Sequence, residues 1–345
     1  MDQNIILLFG GDSDERLVSV ASAQAMAQAL GEPTLWFLSK AGLVYEIDFA
    51  ELINHKNTFT KEFVPNVEAR FSSISEALAS SESTGKTFVL GLHGGSGENG
   101  TLQALLEHYG RAYTGSDAQS SKRAFDKLAT KACLKDFPIT MAPHIILTPE
   151  NAESQLAQFL EQHQEIIVKP ICGGSSLGCT FVRKKDQLAA LGTLISQAPA
   201  QSYFAEKIIH GRELTVGVIE NGSAPMGLPV TEIIVNKDRN FDYEGKYLGQ
   251  GTSEITPADI SETLTREAQR LAVAAHVALK LDGYSRTDMI ASPDGLYYLE
   301  TNTLPGLAKE SLVPQQLAAI HITLREFLAT QIRIAKERHQ RIFLK

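Results

Sequence analysis

Two carboxylates near the carboxyl end of the chain, Asp288 and Glu300, are spaced to face each other across a β-hairpin. Between them, Ser292–Gly295 (Ser-Pro-Asp-Gly) is typical of a tight turn, because proline presets one backbone angle and glycine accepts a left-handed conformation. Apolar and β-branched residues flank the turn, as two strands require. If Ser292 pairs with Leu296 across a three-residue loop, the two carboxylates are direct neighbours on one face of the sheet.

The same register places Arg286 opposite Asn302 on that face. Like charges directly opposed in a sheet are unfavourable, so we expect a cation between Asp288 and Glu300. Two carboxylates and an amide carbonyl are hard oxygen ligands, and such a set suits Mg²⁺ that carries nucleotide phosphates. The alternative is an exposed hairpin whose charges are solvated or paired with Arg286. A register change of one residue would place the carboxylates on opposite faces.

A second candidate site is the glycine-rich loop at 173–178, which follows a strand that ends near Lys169. Closely spaced glycines let backbone N–H groups approach phosphate oxygens, the loop serines add donors, and Lys169 adds a positive charge. The loop is not a Walker A motif, because the lysine precedes the glycines, and it lacks the Rossmann spacing. The alternative is a tight β-hairpin between Val168 and Thr180.

The segment 205–216 predicts a junction of two strands with charged residues at its edge. An edge segment with available backbone donors and acceptors is able to recognise the amino group and ring nitrogen of adenine. Glu213 is placed to accept hydrogen bonds from ribose hydroxyls, as acidic residues do in other nucleotide sites. The alternative is a charged edge strand on the surface.

The polar stretch 237–254 has no strong periodicity and predicts a long loop. Loops of this length in compact domains are lids or disordered segments. Tyr243, Lys246 and Tyr247 favour a lid, since disordered segments are poor in aromatic residues. A lid that excludes water suits an enzyme with a hydrolysable intermediate.

The composition is that of an ordinary soluble globular protein, and 345 residues are enough for about two to three domains. The net charge of -8 argues against nucleic acid or an anionic membrane as the main partner, so local lysines and arginines must hold any anionic substrate. Three cysteines without zinc-ligand spacing favour a reducing cytosol. We recognise no signal peptide or membrane-spanning run and expect a cytoplasmic protein.

The elements that position these residues divide into three parts. Residues 1–118 alternate between strands and helices, which predicts an α/β domain with a parallel sheet. Ligands of such sheets bind beyond the carboxyl ends of the strands, where the loops 10–15 and 93–100 lie. The predicted elements of this part are Ile5–Phe9, Glu15–Leu30, Thr34–Leu38, Thr87–Leu92 and Thr101–Tyr109.

Residues 119–205 predict a second part around the glycine-rich loop, and residues 206–345 predict a third with the polar stretch and the hairpin 286–302. The predicted helices of both parts are Ser121–Lys135, Ile260–Leu281, Leu312–Ile320 and Thr323–Arg338. The predicted strands besides the hairpin are His144–Leu147, Glu165–Lys169, Cys179–Arg183, Tyr203–Ile209, Glu213–Glu220 and Thr231–Val235.

Taken together, these segments resemble the ATP-grasp ligases, and among them the D-alanine–D-alanine ligase family. The resemblance is collinear and covers nearly the whole chain. The matching segments are Gly10–Ser19, His93–Thr101, Tyr113–Ser116, Asp126-Lys127, the Lys169 loop, Glu206-Lys207, Asp242–Tyr247, Arg286–Asp288 and Glu300–Gly306.

The resemblance implies a composite α/β fold, in which an N-terminal domain is followed by two α+β subdomains that grip ATP. It implies ATP-dependent ligation of two D-alanines to D-alanyl-D-alanine through an acylphosphate, for peptidoglycan precursor synthesis. Phosphoryl transfer needs positioning and charge neutralisation more than covalent help, which fits the residue types. The family is commonly dimeric, so a homodimer is also expected.

The resemblance also assigns the contacts to ATP and metal. It implies two Mg²⁺ ions, with Mn²⁺ as an alternative, at Asp288, Glu300 and Asn302. The implied contacts to the nucleotide and its phosphates are Lys127, Lys169, Ser176, Glu206, Lys207, Ile209, Glu213 and Lys246.

At the substrate end, Glu15 matches the residue that pairs with the ammonium of the first D-alanine, and Val18 and His93 lie beside it. Arg286 and the N–H of Gly306 resemble the oxyanion stabilisers, which are donors aimed at the tetrahedral oxygen.

The acceptor end is assigned in the same way. Ser311, followed by Leu312, matches the residue that holds the carboxylate of the second D-alanine. Tyr247, Ser175 and Glu15 resemble the hydrogen-bonded trio that latches the lid and steers the acceptor amine. The identity of the general base stays open.

Several departures from the family leave the acceptor open. Lys309 and Glu310 place two charges beside the acceptor site, where the family has a small, hydroxyl-containing run. Asn99 replaces the usual aspartate, and Ile171–Gly173 is unusual before the loop serines. Tyr247 favours D-alanine, but a ligase that uses D-serine, D-lactate or another small amine is the second hypothesis. A non-catalytic nucleotide-binding protein is the third.

Overall fold

A computed structural model of the protein describes residues 4–174, 178–197, 203–222, 224–235 and 252–343. Three β-sheets organise these residues. Buried apolar side chains form three clusters, and the largest extends from the first sheet to the helices at the carboxyl end. No helix within the described ranges is long and apolar enough to cross a membrane.

The first sheet contains five strands in the order β3-β2-β1-β4-β5, and only β3 is antiparallel to its neighbour. Its strands are β1 (Ile5–Gly10), β2 (Thr34–Leu38), β3 (Val44–Ile47), β4 (Thr87–Leu90) and β5 (Ala112–Tyr113). Its helices are α1 (Arg16–Leu30), α2 (Phe49–Asn54), α3 (Ile74–Ala79), α4 (Gly95–Glu98) and α5 (Thr101–His108). The predicted parallel sheet is confirmed.

The loops after β1 and β4 meet at one edge of this sheet, as the topology predicts. Ser19 joins them, since its Oγ accepts from the N–H of Gly10 (2.7 Å) and donates to the carbonyl of Gly91 (2.6 Å). Asp12 makes a second link and accepts from the N–H and hydroxyl of Ser96 (3.1 and 2.8 Å). The sequence therefore identified this pair of loops correctly.

The predicted helix Ser121–Lys135 is two helices, α6 (Ala118–Phe125) and α7 (Lys127–Leu134). Asp126 separates them because its carboxylate caps the second helix, where it accepts from the N–H groups of Leu128 (2.9 Å) and Ala129 (2.8 Å). The break makes Lys127 the first residue of a helix.

The second sheet is antiparallel, in the order β7-β10-β8-β9. Its strands are β7 (His144–Ile146), β8 (Ile166–Pro170), β9 (Thr180–Val182) and β10 (Tyr203–Lys207), and its helices are α8 (Ala152–His163) and α9 (Leu188–Gln197). Val168 pairs with Thr180, so the glycine-rich loop is the connection of a β-hairpin. Strand β10 crosses the domain boundary predicted at 205/206.

The third sheet has the order β14-β13-β11-β15-β16-β6, with β12 paired to β11. Its strands are β6 (Thr140–Met141), β11 (Arg212–Ile219), β12 (Met226–Gly227), β13 (Thr231–Val235), β14 (Thr252–Ile255), β15 (Tyr284–Ser292) and β16 (Gly295–Asn302). Helices α10 (Glu262–Ala278), α11 (Leu312–Ala319) and α12 (Leu324–Phe343) complete this part.

Two features of the structure bear on the extents of the predicted parts. Residues 252–254, predicted as the end of the lid, belong to β14, and the rest of the predicted lid lies outside the described residues. Ala124 and Leu134, from α6 and α7, lie in the hydrophobic cluster of the third sheet, although the sequence placed them in the second part.

Candidate active site

The hairpin of β15 and β16 brings the predicted carboxylates together by a different route from the one predicted. Ser292 pairs with Gly295, so the turn has two residues and the three-residue loop was wrong. A β-bulge between Asp288 and Met289 then shifts the register by one residue. Asp288 therefore lies opposite Glu300, as the sequence predicted.

Arg286 lies opposite Asn302, also as predicted. Its guanidinium binds Asp288 with two hydrogen bonds, from Nε (2.9 Å) and Nη2 (2.8 Å), and the hydroxyl of Thr215 donates to the same carboxylate (2.5 Å). Glu300 forms an ion pair with Nζ of Lys127 at 3.4 Å. Arg286 and Lys127 therefore neutralise the two opposed carboxylates.

The donor set at this position fits a hard divalent cation. Two carboxylates and an amide oxygen are the ligand types that Mg²⁺ prefers, and Nδ2 of Asn302 is 3.5 Å from Oδ2 of Asp288. Within the described residues, no cluster of three or more histidine, cysteine, aspartate or glutamate side chains is arranged to hold a metal. At this position the hairpin offers only two such side chains, Asp288 and Glu300, because its third oxygen ligand is the amide of Asn302.

A buried cluster of three charged side chains lies between α7 and the second sheet. Glu206 accepts from Nζ of Lys131 and of Lys169, with N–O distances of 2.5 and 2.6 Å. Burial opposes ionisation of Glu206, but the two ammonium groups hold its pKa below the usual value. Burial also lowers the pKa of Lys169, and the Glu206 carboxylate outweighs it and raises that pKa.

Lys131 is a residue that the sequence analysis missed. It is 5% exposed and follows Lys127 by four residues on α7, so both lysines lie on one face of the helix. If Asp126 is recognised as a helix cap, the four-residue spacing from Lys127 identifies Lys131 as a second lysine on the same helix face.

The glycine-rich loop approaches both ends of the site. Nζ of Lys127 donates to the carbonyl of Gly173 (2.6 Å), and the N–H of Lys127 donates to the carbonyl of Ile171 (3.0 Å). On the other side, a Cβ built on Gly174 would lie 3.0 Å from Oε2 of Glu15. The predicted contacts Ser175, Ser176, Lys246 and Tyr247 lie outside the described residues.

The predicted adenine edge lies where β10 ends. Lys207 is the last residue of that strand, and Ile209 follows it in the connection to β11. Both side chains are partly exposed, and so is that of Glu213 near the start of β11. The three residues thus lie where a strand of the second sheet leads into a strand of the third.

At the substrate end, Glu15 is the N-cap residue of α1, and its carboxylate lies against Gly94, where a Cβ would be 2.5 Å from Oε2. Val18 is fully buried in the first domain. His93 is 6% exposed, and both of its ring nitrogens contact protein groups at 2.8 Å, namely the hydroxyl of Ser22 and the carbonyl of Leu304. Burial lowers the pKa of His93, so its imidazole is neutral at pH 7.

Glu98 is a second residue that the sequence analysis did not single out. It is buried, and it accepts from the N–H of Leu304 (3.0 Å) and the N–H of Gly94 (3.2 Å). Burial, together with the nearby charge of Glu15, raises the pKa of Glu98 to about 8. The positive charge of Arg286 makes a smaller, lowering contribution to the pKa of both Glu98 and His93.

At the acceptor end, Ser311 is the N-cap residue of α11, and its Oγ would lie 2.8 Å from a Cβ built on Gly306. Leu312, the first residue of that helix, is buried. Lys309 and Glu310, which the sequence placed beside the acceptor site, are both exposed.

Glu254 on β14 is a third residue that the sequence did not identify. Nε2 of Gln315 donates to its carboxylate at 2.6 Å. Burial raises the pKa of Glu254, and the hydrogen bond from Gln315 and the charge of Arg286 partly oppose that shift. Glu254 therefore adds an acid near Arg286.

Models of a known family match both parts of the chain. The model described as the N-terminus of D-ala D-ala ligase matches residues 4–116, and the model of its C-terminus matches residues 133–333. The curated D-alanine--D-alanine ligase of Syntrophobacter fumaroxidans is 34% identical over 334 residues, which cover 96% of this chain and 97% of the relative. That of Desulfotalea psychrophila is 34% identical over 338 residues, 97% of this chain and 95% of the relative.

Solved structures agree with these matches. The D-alanine-D-alanine ligase of Coxiella burnetii has a TM-score of 0.79 at 25% identity, over 98% of this chain and 94% of that one. The VanG D-Ala:D-Ser ligase of Enterococcus faecalis has a TM-score of 0.77 at 25% identity, over 97% of this chain and 100% of that one. The ATP-grasp fold expected from the sequence is confirmed, and this chain belongs to the D-alanine–D-alanine ligase family.

Proposed function

We propose that the protein joins two D-alanine molecules to D-alanyl-D-alanine at the expense of ATP, through an acylphosphate, for peptidoglycan precursor synthesis. One observation carries this proposal. Arg286 binds the acidic hairpin at Asp288, and the segment that leaves this hairpin is bonded at Leu304 to His93 and Glu98. The contact between this segment and the N-terminal domain supports a site in which the residues proposed for phosphate and those proposed for D-alanine act together.

In the first step a carboxylate oxygen of the first D-alanine attacks the γ-phosphorus of ATP, and ADP leaves with the electron pair of the broken P–O bond. Lys127, Lys169 and Lys246 contact the phosphates in this proposal. Asp288, Glu300 and Asn302 would hold two Mg²⁺ ions, which neutralise the charge on the phosphates when they are bound. Glu206, Lys207, Ile209 and Glu213 line the nucleotide edge, and Ser176 adds a phosphate donor.

The second step is attack by the amine of the second D-alanine on the carbonyl carbon of the acylphosphate. Glu15 pairs with the ammonium of the first D-alanine, while Arg286 and the N–H of Gly306 stabilise the oxyanion. The amine adds to the carbonyl carbon to give a tetrahedral oxyanion, and collapse of this intermediate breaks the C–O bond to phosphate, which leaves with the electron pair. The attacking nitrogen loses a proton, which the departing phosphate is able to accept. Ser311, at the N-terminus of a helix, accommodates the carboxylate of the acceptor.

A second candidate is the same ligation with a different acceptor. Two observations favour it: the structural likeness to an enzyme described as a D-Ala:D-Ser ligase, and the exposed charges of Lys309 and Glu310 next to Ser311. A hydroxyl on the acceptor side chain adds little volume, so a site for D-alanine rejects D-serine only weakly unless it excludes polar groups.

Purified protein with ATP, Mg²⁺ and D-alanine tests both candidates. We expect phosphate release that depends on D-alanine and a product with the mass of the dipeptide. The acceptor panel consists of D-serine, D-lactate and the L-amino acids. Phosphate release only with another acceptor would rule out the first candidate. Binding of ATP without turnover of any substrate would support the hypothesis of a non-catalytic nucleotide-binding protein. Light scattering tests the predicted homodimer, and the cytoplasmic location also stays a prediction.

A further inference from the structure

Three side chains of the N-terminal domain hold the backbone on both sides of Gly306. The N–H of Leu304 donates to Oε1 of Glu98 (3.0 Å), and its carbonyl accepts from Nδ1 of His93 (2.8 Å). The N–H of Leu307 donates to Oγ of Ser22 (3.2 Å). Residues two before and one after Gly306 are therefore anchored to another domain, more than 200 positions away in sequence.

Leu304, His93, Ser22 and Leu307 form a chain of hydrogen bonds, which we call the relay. The carbonyl of Leu304 fixes the direction of each hydrogen bond in it. A carbonyl oxygen only accepts, so the proton of His93 is on Nδ1. The bare Nε2 then accepts from the hydroxyl of Ser22 (2.8 Å), which leaves the Ser22 oxygen to accept from Leu307. Burial keeps the imidazole neutral, as this arrangement requires.

We propose that Ser22 and Glu98, together with His93, are positioning residues that aim the N–H of Gly306 at the reacting carbonyl. This inference rests on the proposed function, because the oxyanion role of Gly306 belongs to it. Glycine has no side chain to fix its own peptide, so the anchored neighbours must set its orientation. His93 acts through this relay and not as a substrate ligand, since protein groups occupy both of its nitrogens.

The same elements hold Glu15, and this explains why a relay between domains is useful. Ser22 lies on α1, which begins directly after Glu15, and His93 and Glu98 belong to the loop that contacts Glu15 at Gly94. The ammonium of the first substrate and the donor to its carbonyl oxygen are thereby fixed relative to one rigid edge of the first sheet. A donor displaced by about 1 Å costs roughly 100-fold in rate.

The test compares Ser22→Ala with Ser19→Ala. Both serines lie on α1, are fully buried, and both accept from one backbone N–H. Ser19 bonds only within the N-terminal domain, whereas Ser22 bonds to the segment around Gly306. The two variants should lose similar stability, which thermal unfolding measures. Only Ser22→Ala should lose about 10- to 100-fold in kcat for dipeptide formation.

A second readout separates positioning from damage to the whole site. Exchange of the oxygen that bridges the β and γ phosphates of ATP, in the presence of D-alanine, reports formation of the acylphosphate and does not need the oxyanion donor. Exchange should persist in Ser22→Ala and in Glu98→Gln, while kcat falls. Glu98→Gln keeps one acceptor oxygen and tests the proposal if Ser22→Ala does not fold.

Parallel losses of exchange and kcat in both variants, or an equal loss of kcat in Ser19→Ala, would overturn the positioning role. Wild-type protein that forms no dipeptide and shows no exchange with D-alanine would overturn the proposed function instead, and this inference with it.

Discussion

Lys131 and Lys169 share the carboxylate of Glu206, and all three side chains are withdrawn from solvent. Glu206 is 3% exposed as a side chain, so its charge is stable only because two ammonium groups face it. In the proposed reaction Lys169 contacts a phosphate, and Lys131 would then remain as the partner that neutralises Glu206. The cluster thus joins a residue proposed for the nucleotide edge, Glu206, to a lysine proposed for the phosphates, Lys169.

Lys131→Met should destabilise the protein by about 3 kcal/mol, because it removes one of the two partners of a buried charge. It should also raise the KM for ATP, since Lys169 becomes the sole partner of Glu206. Urea unfolding and steady-state kinetics measure the two effects. Arg183→Met is the matched control, because the Arg183–Glu165 pair is exposed and should contribute less than about 1 kcal/mol. Equal effects of the two variants would contradict a special role for Lys131.

Glu300→Ala should abolish dipeptide formation, because the hairpin loses one of its two opposed carboxylates and the charge that Lys127 faces. Turnover measured across a range of Mg²⁺ concentrations tests this. Asp294→Ala, in the exposed turn of the same hairpin, should leave turnover unchanged. Near-normal activity of Glu300→Ala at every Mg²⁺ concentration would exclude the metal role of the hairpin.

Glu98 should make the stability of the protein fall as pH rises from about 5 to 8. Its pKa is raised from 4.5 to about 8 by burial and the charge of Glu15, so the folded protein keeps a proton that the unfolded chain releases. The loss is at most about 1.4 kcal/mol per pH unit in this window. Urea unfolding at several pH values should show a steeper decline for wild type than for Glu98→Gln, whose amide does not titrate. Parallel curves would show that Glu98 is ionised in the folded protein.

Gly306→Ala should raise the KM for the acceptor about tenfold, because the new Cβ would lie 2.8 Å from Oγ of Ser311 and displace it. Initial rates at varied D-alanine concentration, fitted with separate constants for the two sites, measure the change. Adding Ser311→Gly relieves the clash but removes the hydroxyl, so the double variant should resemble Ser311→Gly alone. A lower kcat with unchanged KM would instead place the effect on the oxyanion.

The hairpin of β15 and β16 shows which structural features local sequence patterns predict and which they do not. Alternation and turn residues predicted the opposition of Asp288 and Glu300 correctly, although the turn has two residues and a bulge at Leu299 restores the register. A three-residue turn without a bulge and a two-residue turn with a bulge leave the same residues opposed. The alternation of apolar and polar residues therefore does not distinguish between them. The pairing with β11, which places Thr215 against Asp288, belongs to the whole sheet.

By itself, the sequence determined the family, the parallel first sheet, the two loops at its edge and the residue types suited to phosphate and metal chemistry. These depend on periodicity, turn residues and short motifs, which are properties of neighbouring positions. Only the tertiary structure decided that Lys131 is buried against Glu206 and that the nitrogens of His93 are occupied by Ser22 and Leu304. Such roles depend on contacts between residues far apart in the chain, and no local pattern encodes which distant group will satisfy a buried charge or hydrogen bond.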